Sequence, residues 1–153
     1  MTYKSNTKKR PSTDYIVVHC SATRPSQNIG AADIDRWHRG QGWACIGYHY
    51  VIRRNGTVED GREPDVIGAH VEGHNTNSVG ICLAGGVSEK DINVPEDNFT
   101  KQQLESLKTL ILSLKEKYPQ AHIQGHRDFP KVHKACPSFD VASWLKAEGI
   151  PNP

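Results

Sequence analysis

The segment GHRDFPKVHKACPSFD, residues Gly125 to Asp140, places His126, Arg127, Lys131, His133, Lys134 and Cys136 directly after a short apolar run. Imidazole and thiolate both ligate metals, and both act as bases or nucleophiles. Such a mix suits a metal site, a nucleophilic site or a basic surface loop. Further upstream, His19 closes the apolar stretch DYIVVHC. An imidazole there is costly to bury unless its ring nitrogens find partners, and a metal ion is one such partner. No C-x-x-C or H-E-x-x-H spacing is present, so no local rule identifies a zinc site. From the residues alone three readings stay open. One is a His/Cys metal site. Another is a Cys/His enzyme with the Cys136 thiolate as nucleophile. The third is an α/β domain that only binds. The other histidines need less: His38 suits packing on a helix face, and His49, His122 and His133 suit strand or surface positions.

Any of these sites needs a scaffold that brings distant residues together. DYIVVHC is apolar on both faces up to His19, which predicts a covered central strand. NIGAADIDRWHRGQG predicts a helix with Ile34, Trp37 and His38 on one face and a stop at Gly40 and Gly42. YHYVIRRNGTVEDGR predicts two strands around a type I′ turn at Asn55-Gly56. Tyr48, Tyr50 and Ile52 should then point to one side, and His49 and Val51 to the other. SVGICLAGG predicts another buried strand, and residues 87–98 an exposed polar loop. Thr100 and Gln103 form a capping box for a helix with the stripe Leu104, Leu107, Ile111, Leu114 and Tyr118, stopped by Pro119. AHIQGH predicts a short strand. Asp140 caps a last helix that turns Val141, Trp144 and Leu145 inward.

The order β-α-β-β-β-α-β-loop-α predicts an α/β fold: a single domain with a mixed central sheet of about five strands flanked by about three helices. In such folds, sites gather where loops leave the ends of central strands. His19 ends the first strand, His126 ends the last, and Cys136 lies on the loop that follows.

Composition narrows the function classes. A chain of 153 residues is one domain by default and can bury a core without disulfides. Its net charge of +2 is too small to imply a nucleic-acid binder. Residues 1–10 carry Lys4, Lys8, Lys9 and Arg10 and no acid, so residues 1–13 are expected to be a basic, flexible arm ahead of a domain at 14–153. No apolar run could span a membrane and no secretory signal is expected. That points to synthesis in a reducing cytoplasm, with Cys20 and Cys82 as small core residues rather than disulfide partners.

Five stretches, IVVHCSAT, GYHYVIRRNGTVEDGR, IGAHVEGHNTNSVGICLAGG, GHRDF and KACPSFD, together resemble the zinc-dependent N-acetylmuramoyl-L-alanine amidases of the type-2 amidase and peptidoglycan-recognition family. They occur in the family's order across residues 14–145. The likeness is to its short phage lysozymes, which are amidases (endolysins). The resemblance implies one Zn2+ ion held by His19, His126 and Cys136, with Tyr48 and Lys134 assisting catalysis. It implies that His70 and Asn75 line the peptidoglycan cleft, and it puts His74 where an aromatic residue is common. Without it, Tyr48 reads as a core aromatic and Lys134 as a solvated charge. The implied activity is hydrolysis of the amide bond between N-acetylmuramic acid and L-alanine. The enzyme would work as a monomeric endolysin, made in the host bacterial cytoplasm and reaching the wall after membrane permeabilisation. A peptidoglycan-binding module that does not cut is the competing class; such relatives commonly lack the cysteine ligand, and Cys136 is present. Some relatives also restrain phage RNA polymerase, a partner the basic amino terminus could serve.

Overall fold

The computed structural model describes residues 3–5, 7–132 and 134–153. His133, expected at a strand or surface position, lies outside the described residues. Five strands, β1 (Tyr15–Cys20), β2 (Tyr50–Ile52), β3 (Val58–Asp60), β4 (Ser78–Leu83) and β5 (His122–Gly125), form one sheet in the order β3-β2-β4-β1-β5. β1 runs parallel to both β4 and β5, and β4 runs parallel to β2. Only the edge strand β3 is antiparallel, to β2. The helices are α1 (Ala31–Gly40), α2 (Lys101–Lys117) and α3 (Val141–Ala147). This is the expected α/β architecture.

β1 is central because both of its faces are covered. Ile16 and Val18 enter a cluster with Val79, Ile81 and Ile123, sealed by Leu107, Ile111 and Leu114 of α2 and by Val141 and Leu145 of α3. Val17 packs on the other side with Val71 and Phe129. Fully burying one such side chain contributes about 1.5–3 kcal/mol. An exposed pair such as Lys9–Asp65, at 3.6 Å, contributes about 0–1 kcal/mol. Packing on the sheet therefore holds the site in place.

α2 starts where its capping box predicts. Thr100 Oγ1 accepts from Gln103 N at 3.1 Å, and Gln103 Oε1 accepts from Thr100 N at 3.0 Å. The fully buried Gln103 also donates through Nε2 to the carbonyls of Ile52 and Ala84, tying the helix to the ends of β2 and β4.

Three local expectations differ from the structure. The hairpin turn is not type I′, which would need a positive φ at both Asn55 and Gly56. Asn55 does not take a positive φ, whereas Gly56 has φ +90°. Gly56 N donates to Arg53 O, and Arg53 N donates to Thr57 O. The loop is thus the three residues Arg54 to Gly56, with glycine alone in the left-handed region. Next, Tyr48 packs with Val51 and Cys82 rather than with Tyr50 and Ile52. β2 begins only at Tyr50, so strand alternation does not reach back to Tyr48. Third, Trp37 is 38% exposed, and α1 buries Ala31, Ile34 and Asp35 instead. Described residues of the amino-terminal segment also make contacts with the domain. Tyr3 pairs with Arg62 and Lys9 with Val66. Arg10 donates to the carbonyls of Pro64 and Val66 and to the Tyr118 hydroxyl.

Candidate metal and active centre

Parallel pairing puts the carboxyl ends of β1, β4 and β5 on one side of the sheet, and the candidate residues collect there. His19, the fifth residue of β1, is 1% exposed. His126 opens a short 3-10 turn, His126–Asp128, directly after β5. Asp128 Oδ2 accepts from Gly125 N at 2.9 Å, which holds that turn against the strand end. The chain then loops out and returns. Arg127 N donates to Cys136 O at 2.8 Å, and Ser138 Oγ donates to Gly86 O at 2.8 Å. These two bonds seat Cys136 over the ends of β1 and β4.

One ligand atom each from His19, His126 and Cys136 lies within 4.8 Å of the others. The Cys136 Sγ to His19 Nδ1 distance is 3.9 Å. Ligands sharing one tetrahedral zinc, at about 2.0–2.3 Å from the ion, are separated by roughly 3.3–3.8 Å. A small inward movement closes the set. Two imidazoles and a thiolate are also the donor types that suit zinc over magnesium or calcium. The residues fit such an ion.

The surroundings favour neutral imidazole. Burial, then the neighbouring His70, His126 and His49, hold His19 well below the ordinary imidazole range. Burial lowers His126 too, helped by the charge of the exposed Lys134 beside it. A neutral ring keeps a lone pair for a metal. Cys136 Sγ accepts from the Cys20 amide at 3.1 Å. Hydrogen bonding to the Cys20 thiol and then burial push the Cys136 thiol up. A bound cation works in the opposite direction, because it favours the thiolate.

Tyr48 lies beside this set, its ring 5.0 Å from that of His19 and 5.6 Å from that of His38. Burial pushes its hydroxyl well above the ordinary phenol range. A hydroxyl so raised keeps its proton at neutral pH. His38 sits behind it, its Nδ1 accepting from Gly47 N at 2.9 Å.

The two residues expected to line the cleft, His70 and Asn75, are both half-buried and make contacts within the chain. His70 Nδ1 is 2.8 Å from His19 Nε2, so His70 backs a candidate ligand. Asn75 Oδ1 accepts from the amides of His70 and Val71, both at 2.8 Å, and so shapes the loop that carries His70. His74 stacks on Phe129 with ring centroids 4.6 Å apart and meets the edge of Tyr15, the place of an aromatic ring in a small cluster. Nothing in the sequence marks Ser78 as a neighbour of the site, or Cys20, though next to His19, as a partner of Cys136. Their contacts come from tertiary pairing across β1 and β4.

Comparison with known proteins adds independent findings. The Amidase_2 family, described as N-acetylmuramoyl-L-alanine amidase, matches residues 8–139. The endolysin of Escherichia phage T7 is 48% identical over 137 residues, covering 90% of this chain and 88% of that protein. The endolysin of Enterobacteria phage K11 is 48% identical over 138 residues, covering 90% and 89%. Among solved structures, the N-acetylmuramoyl-L-alanine amidase LysC from Clostridium intestinale URNW superposes with a TM-score of 0.77 at 27% identity, over 99% of each chain.

Proposed function

Because the chain belongs to the Amidase_2 family of N-acetylmuramoyl-L-alanine amidases, we propose that it holds one zinc ion on His19, His126 and Cys136 and hydrolyses the bond between N-acetylmuramic acid and L-alanine. The enzyme is an endolysin-type amidase that acts on peptidoglycan. The observation that carries the zinc reading is the convergence of two imidazoles and one thiol, from three distant parts of the chain, within 4.8 Å.

His19, His126 and Cys136 would hold the ion, which would supply Lewis acidity and make water acidic enough to serve as hydroxide near neutral pH. The remaining work falls to the chain. Neutral Tyr48, beside His19, donates a hydrogen bond that orients the attacking water or the substrate oxygen. Lys134, exposed next to His126, presents a cation to the oxygen that gains charge as the amide carbon becomes tetrahedral. With its sulfur given to the metal, Cys136 is a ligand and not a covalent nucleophile. His70 and Asn75, half-buried on the loop beside the candidate ligands, line the peptidoglycan cleft in this reading.

Purified sacculi test the reaction. Cleavage at the proposed bond releases stem peptides with a new amino-terminal alanine and creates no new reducing sugar ends. A chelator should abolish release and added Zn2+ restore it. Full activity in metal-stripped protein would remove the zinc reading while leaving the amidase assignment intact.

We further propose that the enzyme works as a monomer, made in the host cytoplasm and reaching the wall once the membrane has been permeabilised. Among the described residues no helix is long and apolar enough to cross a membrane. A contact with phage RNA polymerase is supported by exposed Lys4, Lys8 and Lys9. Reversing those three charges should weaken co-purification with the polymerase and spare hydrolysis. No co-purification with the intact protein removes that partner.

A further inference from the structure

We propose that His70 and Ser78 are positioning residues that lock His19 in one tautomer, with its proton on Nε2 and its lone pair on Nδ1 facing the metal site. The inference rests on the zinc reading for its consequence, but the proton assignment stands on hydrogen bonds alone.

The chain begins at a group that can only accept. Ser78 Oγ lies 2.7 Å from the His74 carbonyl oxygen, so the single hydroxyl proton points there. Ser78 is fully buried. Its oxygen is also 3.3 Å from His70 Nε2. With the hydroxyl proton committed to His74, that contact is a hydrogen bond only if His70 Nε2 carries the proton and donates. In a neutral ring His70 Nδ1 is then bare and accepts. Its Nδ1 is 2.8 Å from His19 Nε2, so His19 donates from Nε2. The lone pair of His19 is left on Nδ1, the atom 3.9 Å from Cys136 Sγ. Ligating histidines commonly donate their second N–H to a partner that sets tautomer and ring orientation. Here that partner would be a second imidazole rather than a carboxylate.

The backbone is built to admit this ring. A Cβ added at Gly80, on β4, would lie 2.8 Å from His70 Cγ and Nδ1, and one added at Gly68 would lie 2.8 Å from His70 Cδ2. Glycine at both positions lets the imidazole lie against the sheet. Asn75 fastens the His70 amide from the loop side.

Two measurements test the relay. In a long-range 1H–15N correlation spectrum of the metal-free wild type, His19 should show a protonated Nε2 and a bare Nδ1. A proton on His19 Nδ1 would overturn the proposal without any variant being made. In chelator competition with Co2+ or Zn2+, His70→Leu should weaken binding about 10- to 100-fold. His70→Asn should recover most of the loss, because its amide oxygen can accept near the position of Nδ1. Ser78→Ala should show a mixture of His19 tautomers and a smaller loss of affinity. A folded His70→Leu that binds metal as tightly as wild type would also overturn the relay. Should His70→Leu fail to fold, the wild-type spectrum and His70→Asn decide. A wild type that binds neither metal would instead overturn the zinc reading.

Discussion

Cys136 separates two kinds of contribution at the scale of single residues. Its sulfur accepts one buried amide, from Cys20 at 3.1 Å, which a serine oxygen can also accept. The fold therefore tolerates Cys136→Ser. The proposed zinc would not, because a hydroxyl stays protonated where a thiol yields a thiolate. Substitutions behind a metal ligand cost about 10- to 100-fold, so losing a ligand should cost more than about 100-fold in turnover. Metal content after gel filtration and stem-peptide release should fall together, with the unfolding midpoint of the metal-free protein unchanged. Lys134 makes the opposite case. It is exposed and is not a ligand. Lys134→Ala should keep full metal content and lower kcat by about 10²–10³-fold, the usual cost of losing one donor to a developing oxyanion. Wild-type turnover in that variant would return Lys134 to the status of a surface charge.

At the scale of elements, the scaffold can be tested apart from the chemistry. Thr100 caps α2 and also donates through Oγ1 to Arg54 O at 2.6 Å. Thr100→Ala should cost about 1–2 kcal/mol, a drop in Tm of about 2–8 °C for a chain of this size. Urea unfolding checks the first figure, and turnover at 25 °C should not change. An unchanged midpoint would mean that tertiary packing alone holds the start of α2. This cap was legible because it lies within four consecutive residues. So were β1 and β4, written as unbroken apolar runs, and α2, written as a stripe with a spacing of three to four. The turn at Gly56 was half legible: the dipeptide announced a reversal, but which residue takes positive φ depends on how β2 and β3 register. The face of Tyr48 was not legible, because the strand starts two residues later than its pattern suggests. Among the site residues, His19, His126 and Cys136 were visible as chemistry, yet their grouping came from family likeness, since over a hundred positions separate the first two. The turn of His70 toward His19 depends on Ser78 and Gly80 in a neighbouring strand, and no local pattern carries that.

For the whole molecule, the acid side of the stability curve follows from a histidine outside the proposed ligand set. His49 is fully buried. Its Nδ1 accepts from Gly80 N at 3.0 Å, and its Nε2 donates to Val66 O at 2.8 Å. A second proton would set N–H against N–H at Gly80. Arg10, whose Nη1 is 3.3 Å from Nε2, joins β1's leading segment to this ring. Burial first, with Arg10 and Arg62 also disfavouring charge and Asp65 partly opposing them, brings His49 down to about 3. An unfolded chain binds this proton as pH falls through about 6.5, whereas the folded chain refuses it until about 3. The stability due to neutral His49 is therefore complete above pH 6.5 and is lost as pH falls from there toward 3. The slope contributed is at most about 1.4 kcal/mol per pH unit. Urea unfolding of metal-free protein at pH 7, 6 and 5 should show stability falling with acid. His19 and His70, also held low by burial, add to the total, so the share of His49 is read from its own ring resonances. Those should stay unshifted from pH 7 to 4.5. A midpoint near 6.5 in the folded protein would mean that the ring takes its proton without opposition, and that the junction of Arg10, Val66 and Gly80 does not resist acid.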